Sequence, residues 1–328
     1  YKMEEPYNIK YRADTDTDST VDENGAVSLN GTGDVKVVMY GDNGDVADVT
    51  YGVYETPEEI KALVSNHNIK TNEAKKWREE VPAQQLYVTS RDGLELYGEL
   101  YKNPNSKKYV IIVHGYNCNL EMMYPLGPDF YNMGFNVLFV DLRAHGKSEG
   151  DTIGMGWLER LDLINWCNLL IQYDPDCEIV LYGQSMGAAA VMMASGEDSL
   201  PENVKVIIED SGYTSIHDIF DKIVRAKVHI PAAPLIALSS YRFKKMTKYN
   251  IKDGDAIKQL KKNTRPTLFI HCSDDSYIPF PMVYKLYSVT GGPKDIYTVT
   301  GGEHVMAYYV DPVKYMEHVK AFLDKYLD

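Results

Sequence analysis

The sequence predicts an α/β fold, with a mostly parallel, doubly wound sheet and a small β-containing appendage at the amino terminus. From about residue 71 onward, short apolar runs rich in β-branched residues alternate with amphipathic helical segments. Residues 1–70 differ, because they are acidic and rich in Asp, Thr, Gly and Tyr. A long connection, from Ser211 to Arg265, interrupts the alternation. We therefore expect an appendage of unassigned role at 1–70 and an α/β domain at 71–328.

The appendage contains two short β-like stretches, at 35–40 and 46–54. A helix is expected to begin at Pro57, with Thr56 as its cap, because proline fits the first turn of a helix. The run at 14–25 has alternating aspartates but departs from the calcium loop of an EF-hand. We interpret it as a solvated acidic loop, with calcium binding as the alternative.

The domain is expected to open with two strands around an Asp-Gly turn, within 85–101. Six more strands follow, each a continuous apolar run, as strands buried on both faces of a sheet require. They are the segments 109–115, 136–143, 178–183, 204–211, 266–272 and 295–301. Amphipathic helices are expected at 157–173 and 311–327. The insertion at about 212–256 should contain helices of its own and form a lid, because long structureless loops are rare in compact domains.

Composition excludes several classes of function. The 328 residues include 47 acidic and 34 basic side chains, for a formal net charge of −13. Such a surface repels phosphate backbones, so nucleic acid is not expected as a partner. Four cysteines are too few for a disulfide framework, and CxxC and HExxH motifs are absent, so we expect no metal and no cofactor. No apolar run is long enough to cross a bilayer.

The cellular compartment is only weakly constrained. The sequence starts at Tyr1 and not at a methionine, so we expect the amino terminus to have been processed. A secreted or membrane-anchored protein is therefore favoured over a cytoplasmic one. Membrane contact and oligomeric state stay open.

A G-x-S-x-G motif, Gly183 to Gly187, lies directly after a predicted strand and directly before a predicted helix. The two glycines permit a sharp turn that exposes the Ser185 hydroxyl and directs the N–H of Met186 toward it. A simple turn between strand and helix is the alternative, and it explains the glycines but not the serine. The segment therefore predicts a nucleophile elbow.

A serine nucleophile needs a base, and the base needs an acid to orient it. In this kind of fold the partners follow along the chain in the order Ser, Asp or Glu, His. The segment 271–279 offers Asp274 and Asp275 at the end of one strand, and His304 follows the next. Open α/β sheets bind their ligands at the carboxyl ends of the strands. We therefore expect a catalytic triad of Ser185, one of the two aspartates, and His304.

An oxyanion hole is expected beside the serine. His114 and Gly115 follow a predicted strand, so that the chain can turn and direct the N–H of Tyr116 inward. Together with the N–H of Met186 it would hold the oxygen of a tetrahedral intermediate. His114 and His271, both at strand ends, are expected to hydrogen-bond loops into position.

Residues from about 71 to 328 resemble α/β-hydrolases of the bacterial serine esterase, lysophospholipase-like and serine-aminopeptidase-like group. The matching segments are VHGYNCN, DLRAHGKSEG, GQSMGAAA, DSGYTS, HCSDDSYIP and GGEH. The resemblance implies an α/β-hydrolase fold with a helical lid. It also implies Ser185 as nucleophile, His304 as general base and then acid, and Asp275 as the orienting carboxylate, with Asp274 as the alternative.

The expected activity is hydrolysis of a small-molecule carboxylic ester through an acyl-enzyme, without a cofactor. An amide or peptide hydrolase or an acyltransferase would use the same residues and is the nearest alternative. A non-catalytic binding protein on the same fold is a further one. We expect an apolar pocket for a short-to-medium or aromatic acyl group. Its expected lining residues are Tyr116, Tyr124, Met186, Tyr213, Leu235 and Tyr241.

Overall fold

The computed structural model describes residues 57–227 and 232–327, together with five short strands nearer the amino terminus. These are β1 (Lys10–Ala13), β2 (Thr20–Val21), β3 (Val27–Ser28), β4 (Val37–Tyr40) and β5 (Val46–Ala47). Strand β4 pairs antiparallel with β1 and β5, and β2 pairs with β3. Both predicted β-like stretches thus contain a strand. Thr56 and most of the acidic run at 14–25 lie outside the described residues.

Helix α1 (Pro57–Glu80) begins at the predicted residue and extends past the expected domain boundary at 70/71. Leu63, before that boundary, and Trp77, after it, are both buried in one layer of the domain core. The indole ring of Trp77 lies 4.5 Å from the ring of Tyr101. The helix therefore packs on the α/β domain on both sides of the boundary, and the division into appendage and domain remains a prediction.

An eight-stranded sheet forms the centre of the domain, in the order β13-β12-β11-β10-β8-β9-β7-β6. Its strands are β6 (Ala83–Thr89), β7 (Glu95–Tyr101), β8 (Lys108–Val113), β9 (Asn136–Val140), β10 (Glu178–Gln184), β11 (Val204–Asp210), β12 (Thr267–Cys272) and β13 (Lys294–Val299). Six strands, from β9 to β13 across the sheet, are parallel. Strand β7 is antiparallel to both neighbours. The predicted fold class is confirmed.

Helices cover both faces of this sheet. They are α2 (Gly127–Asn132), α3 (Glu159–Tyr173), α4 (Met186–Ser195), α5 (Ile216–Lys227), α6 (Ala232–Thr247), α7 (Ala256–Leu260), α8 (Pro281–Val289), α9 (Ala307–Val310) and α10 (Pro312–Leu323), with a 3₁₀ helix at Leu120–Leu126. Strand β8 shows why its apolar run is continuous: Val110 and Ile112 belong to one core layer, Ile111 and Val113 to the other. Successive side chains of a strand point to opposite faces, so both faces need apolar residues.

The insertion between β11 and β12 contains α5, α6 and α7, so it has helices of its own, as predicted. It is closed at its base by a bridge between Ser215 and Asp255, and the N–H of Ile216 donates to the carbonyl of Gly254 at 2.9 Å. None of the helices among residues 57–227 and 232–327 combines the length and apolar character needed to cross a bilayer. Within the same ranges, no three His, Cys, Asp or Glu side chains form a group suited to a metal ion.

Candidate active site

The turn between β10 and α4 holds Ser185 in a strained backbone conformation, with φ 56° and ψ −114°. A residue other than glycine rarely adopts a positive φ, so the surrounding structure must impose this conformation. The N–H of Ser185 donates to the carbonyl of Asp210 at 2.8 Å, which ties the turn to β11. A Cβ at Gly183 would lie 2.3 Å from the Gly187 oxygen, and one at Gly187 would lie 2.4 Å from the Val113 oxygen. Both glycines of the motif are therefore required by close backbone approach.

The three side chains predicted to form a triad are in hydrogen-bond contact. Ser185 Oγ lies 2.7 Å from His304 Nε2, and His304 Nδ1 lies 2.7 Å from Asp275 Oδ2. An ionised carboxylate can only accept, so Nδ1 carries the hydrogen and Nε2 is free to accept from the serine hydroxyl. Asp274 is exposed and accepts a hydrogen bond from Ser273 instead. Of the two candidate aspartates, the structure therefore brings Asp275 to the histidine.

Asp275 is buried, yet its surroundings favour the charged form. Its Oδ1 accepts the N–H groups of Tyr277 at 2.9 Å and Ile278 at 2.6 Å. Burial alone would raise the pKa of Asp275, but hydrogen bonds from His271 and His304 outweigh it and lower the pKa to about 2. The Asp275 carboxylate is therefore ionised near neutral pH, and its hydrogen bonds fix its orientation toward His304.

The loop after β8 passes directly beside the serine. A Cβ at Gly115 would lie 3.2 Å from Ser185 Cβ and 3.7 Å from Ser185 Oγ. Tyr116 follows that glycine, and Met186 follows the serine as the first residue of α4. The first N–H groups of a helix have no partner within it. Met186 is therefore next to Ser185 in the chain, and Gly115, the residue before Tyr116, lies against it, while the oxyanion hole stays a prediction.

Two buried histidines fix this loop. His114 Nδ1 lies 2.7 Å from the carbonyl of Gly115, and its Nε2 accepts the N–H of Leu142 at 3.0 Å. His145 Nε2 accepts the N–H of Asn117 at 3.3 Å. Burial lowers the pKa of both imidazoles, that of His114 to about 3, so both are neutral and their Nε2 atoms can accept.

The role predicted for His114 is thus confirmed, and His145 and Asp141 hold the same loop although no role was predicted for either residue. Asp141 accepts the N–H of Leu120 at 2.8 Å and that of Lys147 at 2.7 Å, which anchors the far end of the same loop. Asp141 and His145 both belong to the segment DLRAHGKSEG, which follows the end of β9. This segment was the sequence feature that could have indicated their role.

The predicted pocket residues lie apart from one another. Tyr124 is buried beneath α1 and donates its hydroxyl to Glu99 at 2.8 Å, with the guanidinium of Arg78 3.6 Å from its ring centre. Tyr213 is buried and donates to the carbonyl of Met155 at 2.9 Å. Tyr241 is 67% exposed on α6. The side chain of Leu235, also in α6, lies outside the described residues.

Tyr277 borders His304, a contact that was not predicted from the sequence. Its ring centre lies 5.1 Å from that of His304, and 44% of the residue is exposed. Lys222, from α5, donates to the carbonyls of Ser276 and Tyr277. A half-exposed aromatic ring therefore borders His304, and an ammonium group is bonded to the backbone of Tyr277. The segment HCSDDSYIP contains Tyr277, two residues after the orienting aspartate.

Similarity to known proteins agrees with this geometry. Residues 104–253 match the family model described as serine aminopeptidase, S33. The fold is similar to that of the esterase Pf2001 of Pyrococcus furiosus, with a TM-score of 0.61 and 24% identity, over 75% of this chain and 93% of that one. The chain therefore has the α/β-hydrolase fold. Ser185, Asp275 and His304 lie at the carboxyl ends of three strands of its sheet.

Two further similarities extend over most of the chain. The Bacillus subtilis protein YqkD, itself uncharacterized, is 28% identical over 251 residues, which cover 76% of this chain and 82% of YqkD. Est1E of Butyrivibrio proteoclasticus, solved with ferulic acid bound, has a TM-score of 0.56 and 19% identity, over 73% of this chain and 98% of Est1E. The similarity to Est1E shows that the two proteins share a fold. The α/β-hydrolase fold thus extends over most of the chain.

Proposed function

We propose that the protein is a serine hydrolase that cleaves carboxylic esters through Ser185, His304 and Asp275. One observation carries the proposal: the two contacts of 2.7 Å that join the serine hydroxyl to the imidazole and the imidazole to the carboxylate. A serine hydroxyl is a weak nucleophile, and this arrangement supplies a base and an anion that stabilises the resulting imidazolium.

In the proposed reaction, Ser185 Oγ attacks the ester carbonyl while His304 Nε2 takes the hydroxyl proton. The carbonyl oxygen becomes an oxyanion, stabilised by the N–H groups of Tyr116 and Met186. When the intermediate collapses, the alcohol leaves with the proton from His304, and the acyl group stays on the serine. A water molecule then repeats the sequence, releasing the acid and restoring the hydroxyl. These steps need no metal ion or cofactor.

The residues near His304 support an ester over a peptide. A peptide substrate with a free amino group would need a carboxylate to anchor the amine. Glu303 Oε2 already accepts the N–H of Ser276 at 2.9 Å and its hydroxyl at 2.8 Å, and Asp275 is surrounded by donors. The ammonium of Lys222 lies nearby. The similarity to the esterase Pf2001 points the same way, whereas the aminopeptidase model matched by residues 104–253 keeps amide hydrolysis as the second candidate.

The test is turnover of p-nitrophenyl esters, from acetate to long acyl chains, by the wild type and Ser185→Ala. We expect a maximum at short-to-medium chains and a loss of about 10⁴-fold or more in kcat for the variant. A p-nitroanilide with the same acyl group separates ester from amide cleavage, and an added alcohol acceptor reveals acyl transfer. No turnover, together with no labelling of Ser185 by a fluorophosphonate, would instead establish a binding protein on a hydrolase fold.

A further inference from the structure

We propose that His271 is a positioning residue that holds the Asp275 carboxylate in place, a role that rests on the proposed function above. His271 lies at the end of β12, four residues before Asp275, and its side chain is fully buried. Its Nε2 lies 3.1 Å from Asp275 Oδ2, the same oxygen that His304 Nδ1 contacts at 2.7 Å. One carboxylate oxygen is thus shared by two imidazoles, and only His304 reaches the serine.

The location of the hydrogen on His271 follows from its neighbours. Besides Asp275 Oδ2, Nε2 lies 3.0 Å from the carbonyl of Ile278. A carbonyl only accepts, and the carboxylate is ionised, so Nε2 must carry a hydrogen. The hydrogen on Nε2 is therefore shared between the Ile278 carbonyl and Asp275 Oδ2, whether or not the ring carries a second proton on Nδ1.

The bond from His271 completes the coordination of the carboxylate. Asp275 Oδ1 accepts two backbone N–H groups, of Tyr277 and Ile278, and Oδ2 faces two imidazole N–H groups. Four donors match the roughly four lone-pair positions of a carboxylate, so rotation of the group would break at least one bond. Both imidazoles lower the pKa of Asp275.

The neighbouring strand β11 ends in two acidic residues, Glu209 and Asp210. Glu209 lies on the same face of the sheet as His271, and Asp210 lies on the other face. Burial lowers the pKa of His271, but the Asp275 carboxylate opposes this effect and the pKa is raised. The ring of Phe280 packs edge-on at 5.9 Å. Phe280 thus packs against the ring, whereas the Ile278 carbonyl and the Asp275 carboxylate set the direction of Nε2.

The experiment compares three variants of the full chain. His271→Leu keeps a buried side chain but removes the donor, His271→Gln returns an N–H at a similar reach, and Phe280→Leu, the control, loosens the packing on the ring without removing a polar group. The measurements are kcat and kcat/KM for p-nitrophenyl butyrate from pH 5 to 9, the rate of fluorophosphonate labelling, and the unfolding temperature.

We expect His271→Leu to lower kcat by about 10- to 100-fold with little change in KM, as when an orienting partner is lost. The Asp275 carboxylate then has one donor fewer, so the acid-side half-maximum of kcat/KM should move up by about 0.5 to 1 pH unit. His271→Gln should restore most of both effects, and Phe280→Leu should leave the pH profile unchanged.

Two results would overturn the inference. One is a folded His271→Leu protein with the wild-type kcat and pH profile. The other is a loss of rate that glutamine does not restore and that Phe280→Leu reproduces, which would assign His271 to packing alone. Failure of the proposed function looks different, since the wild type itself would then neither turn over esters nor be labelled at Ser185. If His271→Leu does not fold, the comparison of His271→Gln with Phe280→Leu decides.

Discussion

At the scale of single residues, the site depends on one strained backbone conformation and on two imidazoles that burial keeps uncharged. Ser185 has a positive φ, and the loop beside it is held by uncharged buried histidines. Each feature carries a free-energy cost that the surrounding sheet must offset. Both features can therefore be tested by substitutions that remove the cost or the contact.

The strain at the elbow predicts that Ser185→Gly is more stable than Ser185→Ala, by about 1 kcal/mol. Both variants lose the hydroxyl, so activity disappears in each, but glycine adopts the φ of 56° without a steric penalty. Urea unfolding of the two proteins measures the difference. Equal midpoints would mean that the turn stores no strain.

The contact of His145 with the loop predicts that His145→Leu lowers kcat by about 10- to 100-fold, with KM changed little. The substitution removes the acceptor of the Asn117 N–H, so the neighbouring Tyr116 N–H loses its fixed direction. The effect should be smaller than the roughly 10²- to 10³-fold loss that follows removal of an oxyanion donor itself. His318→Gln, at an exposed position on α10, is the control. Equal kcat values for both variants would exclude this role.

At the scale of elements, helix α1 ties the amino-terminal region to the α/β domain. A Cβ at Gly127 would lie 2.5 Å from the Trp77 ring, so the indole packs directly on the backbone of α2. The guanidinium of Arg78 contacts the ring of Tyr124 on the same face. These contacts belong to the core of the α/β domain, so the helix stabilises the domain.

The packing of α1 predicts that a chain starting at residue 71 is less stable than one starting at residue 57. The shorter chain lacks Leu63 and Val64, which are 2% and 3% exposed. Their loss should lower the unfolding temperature by at least about 5 °C, and more if the shortened helix frays. Thermal unfolding followed by circular dichroism compares the two. Identical transitions would restore the boundary at 70/71 as a true domain limit.

Much of the fold could be predicted from the sequence because its signals are local. Continuous apolar runs such as that of β8 need two covered faces, and glycines flanking Ser185 need a turn. The order of Ser185, Asp275 and His304 then follows from the fold. The remaining features join residues far apart in the sequence. Nothing near Tyr124 indicates that its hydroxyl binds Glu99, because that contact depends on how β7 and the 3₁₀ helix pack.

At the scale of the whole molecule, buried acids govern how stability depends on pH near neutrality. Glu209 is fully buried, and burial raises its pKa to about 8 against the lowering effect of His271. At pH 7 the folded chain therefore binds a proton that the unfolded chain, with an ordinary value of 4.5, has released. Stability from this group is present below pH 4.5 and is lost as pH rises toward 8.

This linkage predicts that the free energy of unfolding falls with pH in the wild type but less in Glu209→Gln. Between pH 6.5 and 8 the difference between the two proteins should change by about 1 to 2 kcal/mol, since one pKa unit corresponds to about 1.4 kcal/mol. Urea unfolding at several pH values measures it, and taking the difference cancels every other titrating group. Parallel pH profiles would show that Glu209 is ionised in the folded protein.

The closed base of the insertion has a consequence for how such a protein changes over evolutionary time. Because Ser215 and Asp255 pair with each other, the chain enters and leaves the segment between them at one point. Whatever lies between can lengthen, shorten or be replaced without moving the strand ends that present the serine, the aspartate and the histidine. Selection for a new substrate can therefore change this one segment of the sequence while the three side chains of the proposed triad are inherited unchanged.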